Sequence, residues 1–464
     1  MNIPKIISLA TNEFKQKLTE FCQNKDFSRL SPEIAQNFCE DLKMAMSFAG
    51  KIGFTSFIQS FETKKSVIKH KGRTYRYKQD SKKIFLTPFG TIPLSRGLYQ
   101  QDKGGSSFIP LDKNWGMEGE YATSEVRESI CFACGLMTPE ETETLLKKSA
   151  MFHPSSTAIK HIVSNAGSLV EEYKEEINVE IRKQEEIPEG TKSVAISLDG
   201  VNVLLNEPGT KKGRKCQRPK ISYQNDDKTS FKNAMIGSIS FYKSKSGKPY
   251  RIESRYVSQM PEANYPTFKH HFEDEVNHVL KNLPPKVNKN FIVDGHKSIR
   301  GYLRDHPMTK GCTYLIDYYH MTEHLSKASE AIFGKSSEKG KAWYTKWKKR
   351  VKEEDWAIEN MYRSLKNYSL IIPKSKKETL RPEITFFKNN KEFMNYAPNV
   401  RKGLPIGNGP VEAGCKSIVK ARMCRSGMRW SRRGGQNILN FRTYIKSNRW
   451  DKFWAQYQNL KKVA

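Results

Sequence analysis

Residues 194–200 read VAISLDG and residues 291–295 read FIVDG, so one design occurs twice in the chain. Each stretch is a β-rich apolar run that ends in an aspartate and a glycine. In open α/β sheets the ligand crevice lies outside the carboxyl ends of the strands. An aspartate at that place is held by a rigid element and still faces solvent. One copy would indicate only a turn, but two copies indicate a site built on Asp199 and Asp294.

The segments around these stretches predict an α/β domain. Three successive strands, 193–198, 234–241 and 251–257, precede a helix and then two more strands, 290–293 and 313–316, each followed by a helix. A meander followed by strand–helix alternation is the order of a ribonuclease H-like fold. The alternating half predicts parallel strands with helical crossovers, and therefore a mixed sheet.

Hydrophobic patterning divides the chain into five predicted segments. They are an N-terminal helical region at 1–63, a small antiparallel β module at 64–115, a helix-turn-helix-like DNA-binding region at 116–170, a charged linker helix at 171–190 and an RNase H-like catalytic domain at 191–464. The catalytic domain contains a helical insertion at 335–400 and ends in a basic C-terminal block.

The helix-turn-helix prediction depends on residues 138–167. Thr138, Pro139 and Glu141 have the pattern of an N-cap, an N1 proline and a capping-box carboxylate. A turn follows, and then a second helix with an apolar face that ends at Gly167. Two helices around a tight turn can recognise DNA or can simply pack, and both interpretations remain open from the sequence.

The chain is strongly basic, with 80 Lys and Arg against 49 Asp and Glu and a net charge of +31. A solvated basic surface would account for part of this excess, but a polyanionic partner such as double-stranded DNA accounts for its distribution. Residues 401–464 contain 15 basic and two acidic residues together with several tryptophans, which indicates a folded basic face. The predicted DNA contacts are Lys416, Lys420, Arg422, Arg425, Arg429, Trp430, Arg432 and Arg433, with Lys160 in the second helix of the helix-turn-helix-like region.

Glu412 is the only acidic residue between Arg401 and Asn448. A glutamate in the first turn of a helix is favoured by the helix dipole, but its isolation among cations indicates a more specific role. Together with Asp199 and Asp294 it would give three carboxylates on separate elements. Such a set can hold two Mg²⁺ (or Mn²⁺) ions about 4 Å apart, which stabilise the attacking and leaving oxygens in phosphodiester cleavage.

Asp317 and His320 form an Asp-x-x-His pattern after the strand at 313–316. Because Asp317 also ends an apolar strand, it competes with Asp294 for the place of second catalytic aspartate. In the ribonuclease H order, the first strand and the strand at 290–293 are neighbours, which favours Asp294. Asp317 and His320 are therefore predicted as accessory residues.

The sequence indicates a cytoplasmic protein without a membrane segment. No apolar run approaches the roughly 18 residues of a membrane span, and the N-terminus lacks the pattern of a signal peptide. Cys131 and Cys134 form a CxxC pair without a second pair at zinc-finger spacing, so they are predicted to be structural cysteines.

The chain resembles the ISKra group of insertion-sequence transposases, within the Mutator-like DDE class. The resemblance rests on the run from Gly407 to Ser431, on the stretch NRWDKFW at 448–454, on the Pro-Leu-Asp block at 110–112 and on the aspartate blocks already described. It implies an RNase H-like core with Asp199, Asp294 and Glu412 as ligands of two metal ions. It also implies recognition of terminal inverted repeats and target DNA, with a homo-oligomer in the synaptic complex.

Two other functions are compatible with the same residues. One is a nuclease on the RNase H fold, because the three carboxylates alone do not require strand joining. The other is a DNA-binding regulator derived from a transposase, with a dead site. The presence of all three acidic residues argues against the second alternative.

Overall fold

The computed structural model describes residues 2–23, 25–63, 65–206, 231–303 and 306–463. The chain divides into two compact units, Met1–Tyr173 with Trp454–Ala464, and Lys174–Phe453. The sequence predicts the main boundary near residue 190, whereas the units divide between Tyr173 and Lys174. In the described residues, no helix is both long and apolar enough to cross a membrane.

The first unit begins with two long helices, α1 (Ile3–Cys22) and α2 (Pro32–Gln59). The side chain of Ser31 caps α2 by accepting a hydrogen bond from the backbone N–H of Ile34, at 3.2 Å. Pro32 occupies the first helical position, where its missing N–H would have no partner within the helix. The helical prediction for this region is confirmed.

An antiparallel sheet follows, with strands in the order β1 (Val67–His70), β2 (Arg73–Thr87), β3 (Gly90–Gln101) and β4 (Ser107–Phe108). The predicted small β module is therefore present. Strand β2 is a single long strand whose pairing with β3 is irregular between Tyr77 and Gln79. Such a bulge lets a strand continue past a local break in its pattern.

Four helices follow in the first unit: α3 (Pro110–Trp115), α4 (Ser124–Leu136), α5 (Pro139–Ser149) and α6 (Ser156–Glu172). The predicted capping box is formed at α5. Thr138 Oγ1 accepts from the Glu141 N–H at 3.1 Å, and the Glu141 carboxylate accepts from the Thr138 N–H at 2.7 Å.

Two predictions for these helices meet different outcomes. Cys131 and Cys134 are both fully buried in α4, in agreement with a structural role. The predicted end of α6 at Gly167 is wrong, because the helix continues to Glu172. Gly167 lies in the buried stripe that includes Val163 and Val170, so burial of this face prolongs the helix.

The second unit is built on a mixed five-stranded sheet. Its strands are β5 (Ser193–Leu204), β6 (Phe231–Lys245), β7 (Lys248–Gln259), β8 (Asn288–Val293) and β9 (Thr313–Ile316), in the order β7-β6-β5-β8-β9. Strands β5, β6 and β7 form the predicted antiparallel meander, and β8 and β9 run parallel to β5. The predicted mixed α/β class is confirmed.

Helices accompany this sheet in the order α7 (Lys174–Lys183), α8 (Pro266–Asn282), α9 (Lys297–Leu303) and α10 (Tyr318–Phe333). Strand residues alternate between the two faces of the sheet. On one face, Val194, Ile196 and Leu198 pack with α8. On the opposite face, Ala195, Ile292 and Leu315 pack together.

The predicted insertion at 335–400 is helical. It contains α11 (Glu338–Glu353), α12 (Ala357–Ile371), α13 (Lys374–Asn390) and α14 (Ala397–Arg401). Trp343, Trp347 and Met361 of the insertion share one core with Leu325 of α10. The insertion is thereby anchored on the helix that follows β9.

The C-terminal part of the second unit begins with a helix in three sections. These are α15 (Gly409–Gly414), a π-helical segment (Cys415–Lys420) and α16 (Ala421–Met423), and they are followed by α17 (Arg432–Lys446). The last helix, α18 (Trp450–Val463), begins in the second unit, and its residues from Trp454 onward belong to the first. Val411 and Ile418 pack against Val201 and Val203 of β5. Gly414 makes this approach possible, because a Cβ there would lie 2.8 Å from the Tyr256 ring.

Candidate active site

Three aspartates stand at one level of the sheet. Ile196 pairs with Phe291 on β8, and Phe291 pairs with Tyr314 on β9. Continued by three residues, this parallel register brings Asp199, Asp294 and Asp317 level on adjacent strand lines. By alternation they share the face that carries Ala195, Ile292 and Leu315.

Asp294 follows the end of β8, as predicted. Its Oδ1 accepts a hydrogen bond from Asn408 Nδ2 at 2.9 Å. Burial and the negative charges of Asp199 and Asp317 raise the pKa of Asp294 to about 7, with a further contribution from Glu412. Gly295 is needed beside it, because a Cβ at this position would lie 2.7 Å from the Phe386 ring. Asp294 is thus held where other carboxylates oppose its ionisation.

Asp317 has a different environment, since it is fully buried and caps α10. Its Oδ2 accepts from the His320 backbone N–H at 2.6 Å, and its Oδ1 accepts from the Asn408 backbone N–H at 2.7 Å. Burial raises the pKa of Asp317 to about 6, against these hydrogen bonds, and the charge of Glu412 adds to the increase. The Asp-x-x-His spacing is therefore a helix cap made by the backbone of His320.

Asp199 departs from the prediction in one respect. The sequence places it at the end of a strand, but β5 continues to Leu204, so Asp199 lies within the strand. Its Oδ1 accepts from the Gly200 N–H at 2.6 Å, and Cys415 Sγ donates to its Oδ2 at 3.4 Å. Burial, together with the charge and hydrogen bond of Asp199, raises the pKa of the Cys415 thiol. Cys415 therefore stays protonated and can keep donating to Asp199.

Glu412 lies in the first turn of α15 and is exposed. The same short helix joins it to Cys415, which contacts Asp199, and to Asn408, which contacts Asp294 and Asp317. Its charge raises the pKa of Asp294 and of Asp317. All three predicted catalytic carboxylates therefore belong to one electrostatic neighbourhood, with Asp317 as a fourth.

A cleft of about 680 Å³ opens beside Asp199 and Asp294. His320 and His324 line it together with Phe386, on which the His324 ring stacks at 3.6 Å. Burial, with the nearby His324, lowers the pKa of His320. Its imidazole is therefore neutral at neutral pH and faces the cleft as a hydrogen-bonding group.

The donor set of this neighbourhood fits a hard divalent cation. Carboxylate oxygens are the ligands that Mg²⁺ prefers. Among the described residues, no Lys, Arg or His side chain makes an ion pair with Asp199, Asp294 or Asp317. Their oxygens are, however, more widely spread than those of Glu175, His270 and His271, whose ligand atoms all lie within 4.8 Å of one another. A bound cation would offset the repulsion between like charges at this edge.

The predicted DNA contacts fall into two groups. Six of them are exposed in or beside α15–α17, and Lys160 is exposed in the first unit, where its Nζ pairs with Glu140 at 2.7 Å. The six are Lys416, Lys420, Arg425, Arg429, Arg432 and Arg433.

Arg422 and Trp430 form the second group. Arg422 is only 2% exposed, and its guanidinium lies 5.1 Å from the centre of the Trp430 ring. The Trp430 ring N–H donates to the Met423 carbonyl at 3.0 Å, and its backbone pairs with Leu204 and Asn206. This pair anchors the C-terminal segment to the end of β5. The prediction that Arg422 contacts phosphate is corrected, because the core holds its side chain.

Sequence reasoning missed Asn408 and Cys415, the two residues that join α15 to the aspartates. Both lie in the run from Gly407 to Ser431, in which Glu412 is the only acidic residue. An asparagine between two glycines looks like a turn residue. The sequence did contain one indication of its role: Asn408 is a single polar residue directly before a short helix that begins with apolar residues.

A comparison of the sequence with models of known protein families finds no match, and a search among curated proteins finds no significantly similar sequence. The arguments for function therefore rest on the site itself.

Proposed function

We propose that this chain is a DDE-type DNA transposase, similar to the ISKra group, which cleaves and rejoins DNA strands on an RNase H-like core. One observation carries the proposal: Asp199 and Asp294 stand level on adjacent parallel strands, and Glu412 adds its charge to theirs. The antiparallel meander beside two parallel strands supports the assignment of the core.

In this proposal Asp199, Asp294 and Glu412 hold two Mg²⁺ or Mn²⁺ ions. When bound, the ions would supply charge stabilisation to the attacking and leaving oxygens of a phosphodiester. The chain's own groups hold the ligands in place: Asn408 orients Asp294 through its side chain, and Cys415 orients Asp199. Asp317 fixes the backbone of Asn408 and so keeps α15 at this edge.

The basic residues that follow Glu412 would hold DNA beside the acidic edge. Lys416 lies one turn after Glu412, and Lys420 lies one turn further along the same helix. Cations this close to the carboxylates can neutralise the phosphates that flank a scissile bond. We propose that double-stranded DNA, both the terminal inverted repeats and the target, is the partner, with a homo-oligomer bringing two ends together.

The test is cleavage and joining of duplex DNA that carries the two ends of the genomic segment encoding the chain. With Mg²⁺, the protein should nick at these ends and join the freed 3′-hydroxyl to a plasmid. Asp199→Ala and Glu412→Ala should abolish cleavage and keep DNA binding, because each removes a metal ligand and no phosphate contact. Glu338→Ala, an exposed site on α11, should behave as wild type.

Each other outcome has a defined meaning. Near wild-type cleavage by either catalytic variant would refute the assignment of the site. Cleavage without joining would identify a nuclease on the same fold. DNA binding by the wild-type protein without metal-dependent nicking would identify a DNA-binding regulator.

A further inference from the structure

A second group of ligand-type side chains lies outside the carboxylates described above. Glu175 stands in the first turn of α7, and His270 and His271 are successive residues of α8. One ligand atom from each of the three lies within 4.8 Å of the other two. Two imidazoles and one carboxylate are a donor set that zinc takes in open sites, with water in the fourth position.

Two of the three spacings between these atoms match the edges of a tetrahedral zinc site. Glu175 Oε2 lies 3.4 Å from His271 Nδ1 and 3.6 Å from His270 Nε2. Zinc–nitrogen and zinc–oxygen bonds of roughly 2.0–2.1 Å in a tetrahedron separate neighbouring ligand atoms by about 3.3–3.4 Å. Both distances are thus close to tetrahedral edges before any ion is bound.

Two buried polar atoms in this group lack a partner. His271 Nδ1 and Glu175 Oε2 are both inaccessible and without a hydrogen bond. The His271 side chain as a whole is only 10% exposed. A buried polar atom without a hydrogen bond carries an energetic penalty. Two such atoms 3.4 Å apart therefore indicate a binding position for an ion or molecule that satisfies both.

The surroundings orient these ligands. Arg182 Nη2 donates to Glu175 Oε1 at 3.2 Å, which leaves Oε2 turned toward the histidines. Asp274 Oδ2 lies 3.8 Å from His270 Nε2, one helical turn along α8. Neighbouring groups of this kind commonly orient the ligands of metal sites. The positive charges of Lys174 and Arg182 act on His271 and oppose the binding of a cation there.

We propose that Glu175, His270 and His271 form a zinc site that fastens the start of α7 to α8. A bridging water is the competing occupant, since it would also satisfy Nδ1 and Oε2. The two differ in what they predict, because only a metal site binds added Zn²⁺ through all three side chains. The proposal does not depend on the transposase assignment, since zinc here would require no DNA chemistry.

The experiment is a Zn²⁺ titration of the full chain after EDTA treatment. It is carried out on an Asp294→Asn, Glu412→Gln background, so that zinc bound by the carboxylate edge is excluded. One equivalent should bind, and adding His270→Gln or Glu175→Gln should remove it. These two positions are 61% and 41% exposed in their side chains, so neither change should unfold the unit.

His306→Gln is the matched control. His306 pairs with Glu273 at 3.3 Å in the same unit but is not part of the three-ligand group, and its replacement should leave zinc binding unchanged. A Co²⁺-substituted protein should show a visible absorption band that disappears in the His270→Gln variant. Absence of the equivalent, or its persistence in both ligand variants, would overturn the proposal.

Discussion

Glu185 and Glu275 are buried carboxylates that face arginines, whereas Asp294 and Asp317, in the same unit, face other carboxylates. Arg449 binds Glu185 through two hydrogen bonds, at 2.7 and 2.5 Å, and also donates to Glu275. Burial acts to raise the pKa of Glu275, but Arg449 and its neighbouring arginines outweigh it, and the pKa is lowered. At the aspartate edge, within the part of the chain that the structure describes, no arginine pairs with Asp294 or Asp317, and burial raises both pKa values despite the hydrogen bonds to these carboxyls.

The difference separates two uses of a buried negative charge. Around Arg449 the charges are balanced within the chain, so the group needs nothing from outside and serves packing. At the aspartate edge the negative charges of the carboxylates are not fully balanced within the chain. A proton or a cation from solvent must supply the remaining positive charge. Strongly perturbed carboxylates that share a cleft are characteristic of functional sites. Four experiments test this difference.

The largest effect is expected for metal exchange at the edge. Asp294→Cys should lose Mg²⁺-dependent cleavage by on the order of 100-fold or more, and should regain part of it with Mn²⁺, because thiolate suits softer ions. Asp317→Cys should show a smaller defect with little metal preference, since Asp317 binds backbone N–H groups. Cleavage rates in the two metals decide the matter. Rescue only at position 317 would exchange the roles of the two aspartates.

The next effect concerns folding. Glu275→Ala should lower the free energy of unfolding by about 3 kcal/mol or more, because Arg449 then keeps only Glu185, which also pairs with Arg255, and one buried positive charge is no longer balanced. Glu353→Ala is the control, since its pair with Lys349 is exposed and should contribute less than ~1 kcal/mol. Urea denaturation measures both. Equal losses would show that the Arg449 group is no more important than a surface pair.

A smaller effect of opposite sign is expected at Asp294. In EDTA, Asp294→Asn should stabilise the protein by about 1–2 kcal/mol above pH 7, less than the full pKa shift because the residue borders an open cleft. The unfolded carboxyl ionises near its ordinary value of 3.8 and the folded one near about 7. Between these values the folded state retains a proton that the unfolded state has released, so wild-type stability falls as pH rises.

The variant cannot ionise at this position, so its advantage should vanish near pH 4 and reach a plateau above pH 7. Thermal melts across this range would show it. Mg²⁺ should reduce the advantage by binding the wild-type edge. A destabilised Asp294→Asn variant at pH 8 would show that the carboxylate is balanced within the chain after all.

The smallest effect separates surface arginines from core arginines. Arg429→Ala should weaken binding to all DNA sequences alike and lower the slope of log K against log salt by about one. Arg422→Ala should leave the slope unchanged and destabilise the fold, since its guanidinium packs on Trp430. Binding titrations at several salt concentrations test both. A loss confined to the terminal repeats at Arg429 would indicate base contacts instead.

The sequence predicted the presence of the strands and helices of the second unit better than the residues at which they begin and end. The β-rich runs located each strand of the mixed sheet, and the repeated Asp-Gly pattern singled out Asp199 and Asp294 as candidate site residues. It could not show that β5 continues past Asp199, because glycine after aspartate also marks a turn. The continuation depends on Val201 and Val203, which are buried only when α15 packs on them.

Long-range contacts account for the rest of what was missed. Asn408 is 114 residues from Asp294 in sequence, and no local pattern links them. The burial of Arg422 depends on Trp430, whose own position is set by pairing with β5. A count of positive charge treats Arg422 and Arg429 alike, although one belongs to the core and the other to the surface.

The π-helical segment Cys415–Lys420 makes the orientation of Glu412 depend on the number of residues in this part of the helix. Such a segment accommodates a residue more than regular α-helical winding would. The wider turn absorbs the rotation of that extra residue, so deleting one residue there would restore regular winding and keep Glu412 in register with the residues beyond Lys420. Inserting a further residue would instead turn Glu412 by about 100° relative to those residues. This stretch of chain should therefore tolerate the loss of one residue more readily than the gain of one.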